Sequence, residues 1–396
     1  MRRRIVLRIG HIAVALVFVT LACAPLAAAG AAGRTDQWTR VRSDAKPSVT
    51  KKSSRATRRE EAVRSTGKKT RGAFDRAGFS IGGGFQDQSD TEIARDLDAM
   101  KSAGAHWVRM DVNWSVIQSA GPSSYDWARF DRVAVAAASR GFTVLAEILY
   151  TPVWARAAGA PAESPPANLE DYARFARAAV AHYAPLGIHA YEVWNEPNNA
   201  AFWKPKADVA RYTAMLKVAY PAIKSADPAA VVVSGGMSPA VDGGTNISPL
   251  TFLRGIYANG GKGFFDAVGH HPYCYPAYPG DAQAWSAWYQ MYGTSPSLRS
   301  IMADNGDSGK QIWATEFGAP TNGPSGTFVG EQTQATMLTR AFDLFQTYDW
   351  AGPMFWYSQR DVGTTMETQE NFYGILRHDF SAKPAFAAYA TATGAR

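Results

Sequence analysis

The sequence predicts an α/β fold, a single (β/α)8 TIM barrel, on three observations. From residue 77 onward, apolar strand-like runs alternate with amphipathic helical stretches. Eight such runs fit within residues 77–396, a span that suits a barrel with loop insertions. Alternating β and α elements also demand right-handed crossovers and a parallel sheet. A doubly wound sheet is the rival, but Gly82-Gly83-Gly84 lacks the spacing and helix start of a phosphate turn.

The elements follow in order. Phe79–Phe85 is the first strand candidate, followed by a helical pattern over Thr91–Ala103. Trp107–Trp114 leads to Trp127–Arg140, and Thr143–Tyr150 leads to Leu169–Tyr183. Ala190–Trp194 is the fourth strand; Pro197 cannot join a ladder and stops it, and Val209–Ser225 is the next helix. Val231–Gly235, Phe265–His271 and Gln311–Thr315 are strands five to seven. Glu331–Tyr348 is helical, and Gly352–Tyr357 closes the barrel.

The formal charge of +7 belongs to the N-terminal part of the chain. Residues 34–76 carry 14 Lys/Arg against 5 Asp/Glu, whereas the chain from residue 77 on carries a net −6. A nucleic-acid footprint on the folded body is therefore not expected. Residues 1–29 read as a signal peptide: a basic start, an apolar stretch from Ile12 to Ala22, then Ala27-Ala28-Ala29. Cys23 after Thr20-Leu21-Ala22 is an imperfect lipidation match, and an uncleaved anchor is a further alternative. Residues 30–76 lack periodicity and contain few large apolar groups, and so read as a disordered basic linker. Its charge suits anionic cell-wall polymers or a membrane surface, although a plain solvated spacer explains it equally. A secreted or surface-attached monomer is expected. After processing only Cys274 remains, so stability rests on the core rather than on a disulfide.

In a barrel, catalytic groups belong at the C-terminal ends of strands. Glu196 ends the fourth strand candidate, and Glu316 follows the seventh in Gln311-Ile-Trp-Ala-Thr-Glu316. The two are 120 residues apart, three βα units around the barrel, which places them across the mouth. Facing carboxyls suit glycoside cleavage with retention if they stand ~5–5.5 Å apart. No H-E-x-x-H, paired-cysteine cluster, serine elbow or phosphate loop is present, and no cofactor or metal is expected.

The chain resembles clan A glycoside hydrolases, above all families 39 and 5, over roughly Phe79 to Tyr389. The residues that carry the likeness are Trp107-Val-Arg-Met-Asp-Val-Asn-Trp114, Val193-Trp-Asn-Glu-Pro-Asn198 and His271-Pro-Tyr273. Ala314-Thr-Glu-Phe-Gly318, Phe355-Trp-Tyr357 and the closing Phe372-Tyr-Gly-Ile-Leu-Arg377 complete it. The resemblance implies Glu196 as acid/base and Glu316 as nucleophile, with Arg109 supporting the nucleophile and Asn195 holding a sugar 2-hydroxyl. It implies that His271 and Tyr273 line the site, Tyr273 bonding the nucleophile, and that Trp356 floors the sugar subsite. The implied partner is a poly- or oligosaccharide. His270 is expected to point away. Glu147 is expected to face the lumen in a structural role, and Trp114, Trp154 and Trp203 divide between cleft lining and loop packing. A transglycosylase on the same site and a non-catalytic polysaccharide-binding barrel are the alternatives.

Overall fold

The computed structural model describes residues 74–395. Eight strands form a closed parallel barrel in chain order. They are β1 (Ala77–Ser80), β2 (Trp107–Asn113), β3 (Thr143–Leu149), β4 (Ala190–Asn195), β5 (Val231–Gly236), β6 (Ala267–His270), β7 (Gln311–Phe317) and β8 (Ala351–Tyr357). The main helices around them are α1 (Asp90–Ser102), α2 (Ala128–Ser139), α3 (Leu169–Tyr183), α4 (Val209–Ala226), α5 (Pro249–Ala258), α6 (Leu298–Asp304), α7 (Glu331–Phe345) and α8 (Pro384–Thr393). Several start on side-chain caps. Ser89 and Glu92 form a reciprocal capping box on α1, and Asn168, Asp208 and Ser248 cap α3, α4 and α5.

The TIM barrel expected from the sequence is the fold found, with one strand misplaced. The first strand runs over Ala77–Ser80, not Phe79–Phe85. Gly82 has φ +66° and turns the chain, after which Phe85–Asp87 forms a single 3-10 turn. The expected start of the body at residue 77 also moves. Phe74 is 3% exposed, packs its ring on Phe342 and Phe345, and donates its N–H to the Ala392 carbonyl. The signal peptide and the linker up to residue 73 lie outside the described residues. Among the described residues no helix is long and apolar enough to cross a membrane.

Strand alternation sorts the lumen into layers. At its base Leu145, Ala190, Val233, Ala267, Trp313 and Phe355 form an apolar plug, with Trp107 packed against it. Two residues further along each strand the side chains face the same lumen one level higher. That step turns Trp107 into Arg109, Leu145 into Glu147, and Ala190 into Glu192. Register places Asp111 beside Glu147, and Glu147 beside Glu192. A charged layer therefore lies directly beneath the mouth.

Candidate active site

Arg109 is the hub of that layer. It is 2% exposed, and each of its five N–H donors has an acceptor. Nε donates to Glu192 Oε2 at 2.6 Å, and Nη2 donates to Glu147 Oε1 at 2.5 Å and Asn195 Oδ1 at 3.0 Å. Nη1 donates to Glu316 Oε1 at 2.7 Å and Ser80 Oγ at 3.1 Å. Burial opposes the charge on Arg109, but Glu147, Glu192 and Glu316 outweigh it and hold the guanidinium firmly protonated. One cation cannot neutralise so many carboxyls. Burial drives Glu147 well above the ordinary carboxylate range despite Arg109, with Glu192 and Asp111 adding to the rise. Asp111 is pushed up to about 6 by burial, with Arg109 opposing and Glu316 reinforcing.

Glu316 sits at the end of β7 and accepts from Tyr273 Oη at 2.8 Å as well as from Arg109. Burial alone would raise its pKa. The charges of His271 and Arg109, with hydrogen bonds from Tyr273 and Arg109, overcome this and hold Glu316 below its ordinary value. Its side chain keeps 14% exposure against 2% for Arg109, so it opens toward the cleft. Tyr273 itself stays a phenol, because burial and the adjacent Glu316 raise its pKa well above the usual value.

Glu196 follows β4 with φ +42°, and Trp194 within β4 and Tyr150 just past β3 also have positive φ. Such backbone costs about 1–3 kcal/mol per residue and persists where the surroundings enforce it. Here the Glu196 N–H is held by the Gly236 carbonyl at 3.0 Å. Asn199 Nδ2 donates to Oε2 of Glu196 at 3.0 Å, and His271 Nδ1 lies 3.0 Å from Oε1. The same nitrogen is 3.7 Å from Glu316 Oε2. One oxygen of Glu196, one ring nitrogen of His271 and one oxygen of Glu316 lie within 4.8 Å of each other. This is the one grouping among the described residues with the donors and spacing to hold a metal ion. Its Glu316 member, however, already carries Arg109 and Tyr273.

Arg109, Asn195, Glu196, His271, Tyr273 and Glu316 thus converge at the mouth. Trp356 does not, and this corrects the sequence expectation. It is fully buried, packs edge-on against Phe317 at 5.5 Å, and donates Nε1 to the Tyr373 carbonyl at 3.3 Å. The reason is parity: Phe355 belongs to the lumen plug, so Trp356 must face outward and Tyr357 inward. Tyr357 stands over Gly82 and against Tyr373, with ring centroids 5.3 Å apart. His270 also faces outward, bonded to the Ala287 carbonyl, and burial lowers its pKa to about 4. Trp114 and Trp203 are buried in loop packing, the first against Trp154 and Phe175, the second against Trp194 and Tyr212. Sequence reasoning missed Glu192, Asp111, Asn199 and Tyr357. Counting alternate residues from Ala190 and Phe355 recovers Glu192 and Tyr357; nothing local marks Asn199.

The family described as Cellulase (glycosyl hydrolase family 5) matches residues 65–359. The chain belongs to this family. No curated protein sequence matches this family 5 chain. Among solved structures it is similar to a family 39 glycoside hydrolase from the gut symbiont Bacteroides cellulosilyticus WH2, with 24% identity and a TM-score of 0.64. The match covers 81% of this chain and 64% of that one, so the family 5 chain spans under two thirds of that structure's length. A monomeric beta-xylosidase from Caulobacter crescentus CB15 matches with 19% identity and a TM-score of 0.58, covering 81% and 68%. A family 5 enzyme from Streptomyces cattleya, solved with Manb1-4GlcNAc, matches with 17% identity and a TM-score of 0.60, covering 81% and 80%. At these identities the likeness shows the shared barrel.

Proposed function

We propose that the chain is a retaining glycoside hydrolase that cleaves O-glycosidic bonds of a poly- or oligosaccharide. Glu196 serves as acid then base, and Glu316 as nucleophile. The observation that carries this reading is the separation of the two carboxyls, within 4.8 Å at their nearer oxygens. That spacing suits direct attack, whereas inversion needs about 6.5–9.5 Å to admit a water. Glu316 attacks the anomeric carbon as the glycosidic C–O bond breaks, and the leaving oxygen takes its proton from Glu196. Glu196 then deprotonates a water, which attacks the same carbon and releases Glu316. Arg109 and Tyr273 favour an ionised Glu316 before attack, and Asn195, fixed by Arg109, offers its amide to the sugar. The neighbours described as a beta-xylosidase and as bound to Manb1-4GlcNAc favour a β-linked substrate. The basic, signal-like N-terminal sequence favours action outside the cell or at its surface.

Turnover of a panel of aryl glycosides and polysaccharides by wild type, Glu316→Ala and Glu196→Ala tests this. Both variants should lose turnover, and azide should rescue them to glycosyl azides of opposite anomeric configuration. Undiminished activity in Glu316→Ala would sink the mechanism. Tight glycan binding without hydrolysis or transfer by wild type would favour a binding barrel instead.

A further inference from the structure

The loop after β8 carries a carboxyl that the mechanism leaves unused. Glu370 lies in the single 3-10 turn Gln369–Phe372. That turn is anchored on every side. Thr368 caps it by accepting from the Glu370 N–H at 3.2 Å, and Asn371 Nδ2 donates to the Thr365 carbonyl at 2.8 Å. The Phe372 carbonyl accepts from the Thr321 N–H at 3.0 Å and from Lys383 Nζ at 3.2 Å. Gly323 has no room for a side chain, because a Cβ there would lie 2.8 Å from the Gln369 Cα. The backbone is pinned, yet Glu370 Oε1 is buried with no hydrogen-bond partner.

Its surroundings are acidic or phenolic. Burial first, then the charges of Glu316 and Glu196, push Glu370 up to about 8. Its own charge is felt at Tyr275, Tyr357 and Tyr373. Tyr373 and Tyr275 bond to each other, Oη to Oη at 2.7 Å, and neither donates to Glu370 Oε1. The cation of the site offers nothing, since each Arg109 N–H is bound elsewhere. His271 Nδ1 faces Glu196. Glu370 is half-buried as a residue, but its Oε1 is closed off from solvent, and a carboxyl oxygen buried without a partner is costly unless a ligand completes it.

We infer that Glu370 determines specificity by binding the ammonium group of an amino sugar seated over Glu196 and Glu316. A free amine supplies both missing elements, a hydrogen-bond donor for Oε1 and a positive charge in a cleft with excess carboxyls. A hydroxyl would supply only the first. At neutral pH the ammonium binds the carboxylate form, so a proton leaves Glu370 as the sugar enters. Sugars bearing a carboxylate instead of an amine meet repulsion at the same place. This inference rests on the glycoside hydrolase reading for the location of the sugar, but not for its own readout.

The test compares sugars that differ only in amine against hydroxyl. Glucosamine oligosaccharides free of acetyl groups are set against glucose oligosaccharides, and aryl glycosides of glucosamine, galactosamine and mannosamine against their hydroxyl parents. Turnover is measured for wild type, Glu370→Gln and Glu370→Ala, and affinity by calorimetry on the Glu316→Ala protein with and without Glu370→Gln. In at least one pair, wild type should favour the amine by about 10-fold or more in kcat/KM, the equivalent of ~1.4 kcal/mol. Glu370→Gln should erase that ratio and change the hydroxyl parent by less than about 3-fold, within ~0.7 kcal/mol. Equal losses on both members would make Glu370 a hydroxyl contact and overturn the inference, as would turnover of parents without any amine preference. Amine-selective binding with no turnover would overturn the hydrolase reading alone. Neither binding nor turnover in any pair overturns both.

Discussion

Arg109 spans the lumen from β2 to β7 and places Nη1 2.7 Å from Oε1 of Glu316. The same guanidinium holds Glu147, Glu192, Asn195 and Ser80, so the nucleophile is fixed by a group that cannot swing away. Lysine keeps the charge but has three donors on a flexible stem, and it cannot reproduce the planar fork. Arg109→Lys should therefore fold with reduced stability and lose kcat by roughly 100-fold, the scale of one preorganised charge contact. Steady-state kinetics beside a thermal melt checks this. A kcat within a few-fold of wild type would show that point charge alone suffices.

Tyr273 makes the second contact to Glu316, and its removal should appear in the pH profile. Glu316 is held below its ordinary pKa by His271 and Arg109 first, with the Tyr273 hydrogen bond next, all against burial. Losing the Tyr273 hydroxyl raises the pKa of Glu316, so its ionised fraction falls at higher pH than in wild type. The acid limb of kcat/KM in Tyr273→Phe should shift toward higher pH, with little change in the basic limb. A shift of the basic limb alone would place Tyr273 with the proton donor instead.

How far these contacts were legible depends on which residue is asked about. Glu196 and Glu316 sit at strand ends, where barrel topology alone puts side chains at the mouth. Arg109 entered only through the family resemblance, and its lumen orientation shows in the structure, two positions past Trp107. The expectation for Trp356 rests on the family resemblance alone, which puts a tryptophan near the end of strand eight at the sugar subsite. Parity, set by Phe355 in the plug, hands the mouth to Tyr357. Asn199 bonds Glu196 from a turn beyond Pro197, and Glu370 approaches from a loop 54 residues after Glu316 in sequence. Loop placements depend on contacts such as Gly323 against Gln369, which no periodicity encodes.

Asn199 donates to Glu196 Oε2 and so orients the carboxyl proposed to protonate the leaving group. Its loss should matter in proportion to how much the leaving oxygen needs that proton. Asn199→Ala should lower kcat/KM by about 10-fold on an alkyl or sugar leaving group, as expected for one charge-assisted hydrogen bond. On activated aryl glycosides the loss should be far smaller. Rates across a series of leaving groups check this, and a uniform loss would assign Asn199 to substrate binding or folding.

Trp356 and Tyr357 offer a direct contrast between core and cleft. Trp356 is fully buried against Phe317. Trp356→Ala should cost about 3–5 kcal/mol of stability through the cavity it leaves. At temperatures where that variant stays folded, KM should hold. Tyr357→Ala should do the reverse, weakening kcat/KM with a small change in melting temperature. If Tyr357→Ala leaves kinetics unchanged on every substrate the enzyme accepts, the inward face of β8 does not contact the sugar.

Glu370 should also leave a mark on stability that needs no substrate. Burial and the charges of Glu316 and Glu196 raise its folded pKa to about 8, above the ordinary carboxylate value it regains on unfolding. The folded state therefore binds the proton more tightly. Stability from this group is present in full below the unfolded pKa and is lost as pH rises toward the folded one. Glutamine cannot ionise, so Glu370→Gln should match wild type in melting temperature near pH 4. It should gain steadily on wild type up to pH 8 and hold that lead above it. Thermal melts of both proteins from pH 4 to 9 read the difference. A pH-independent gap would mean that Glu370 is solvated, and that no buried charge awaits a ligand there.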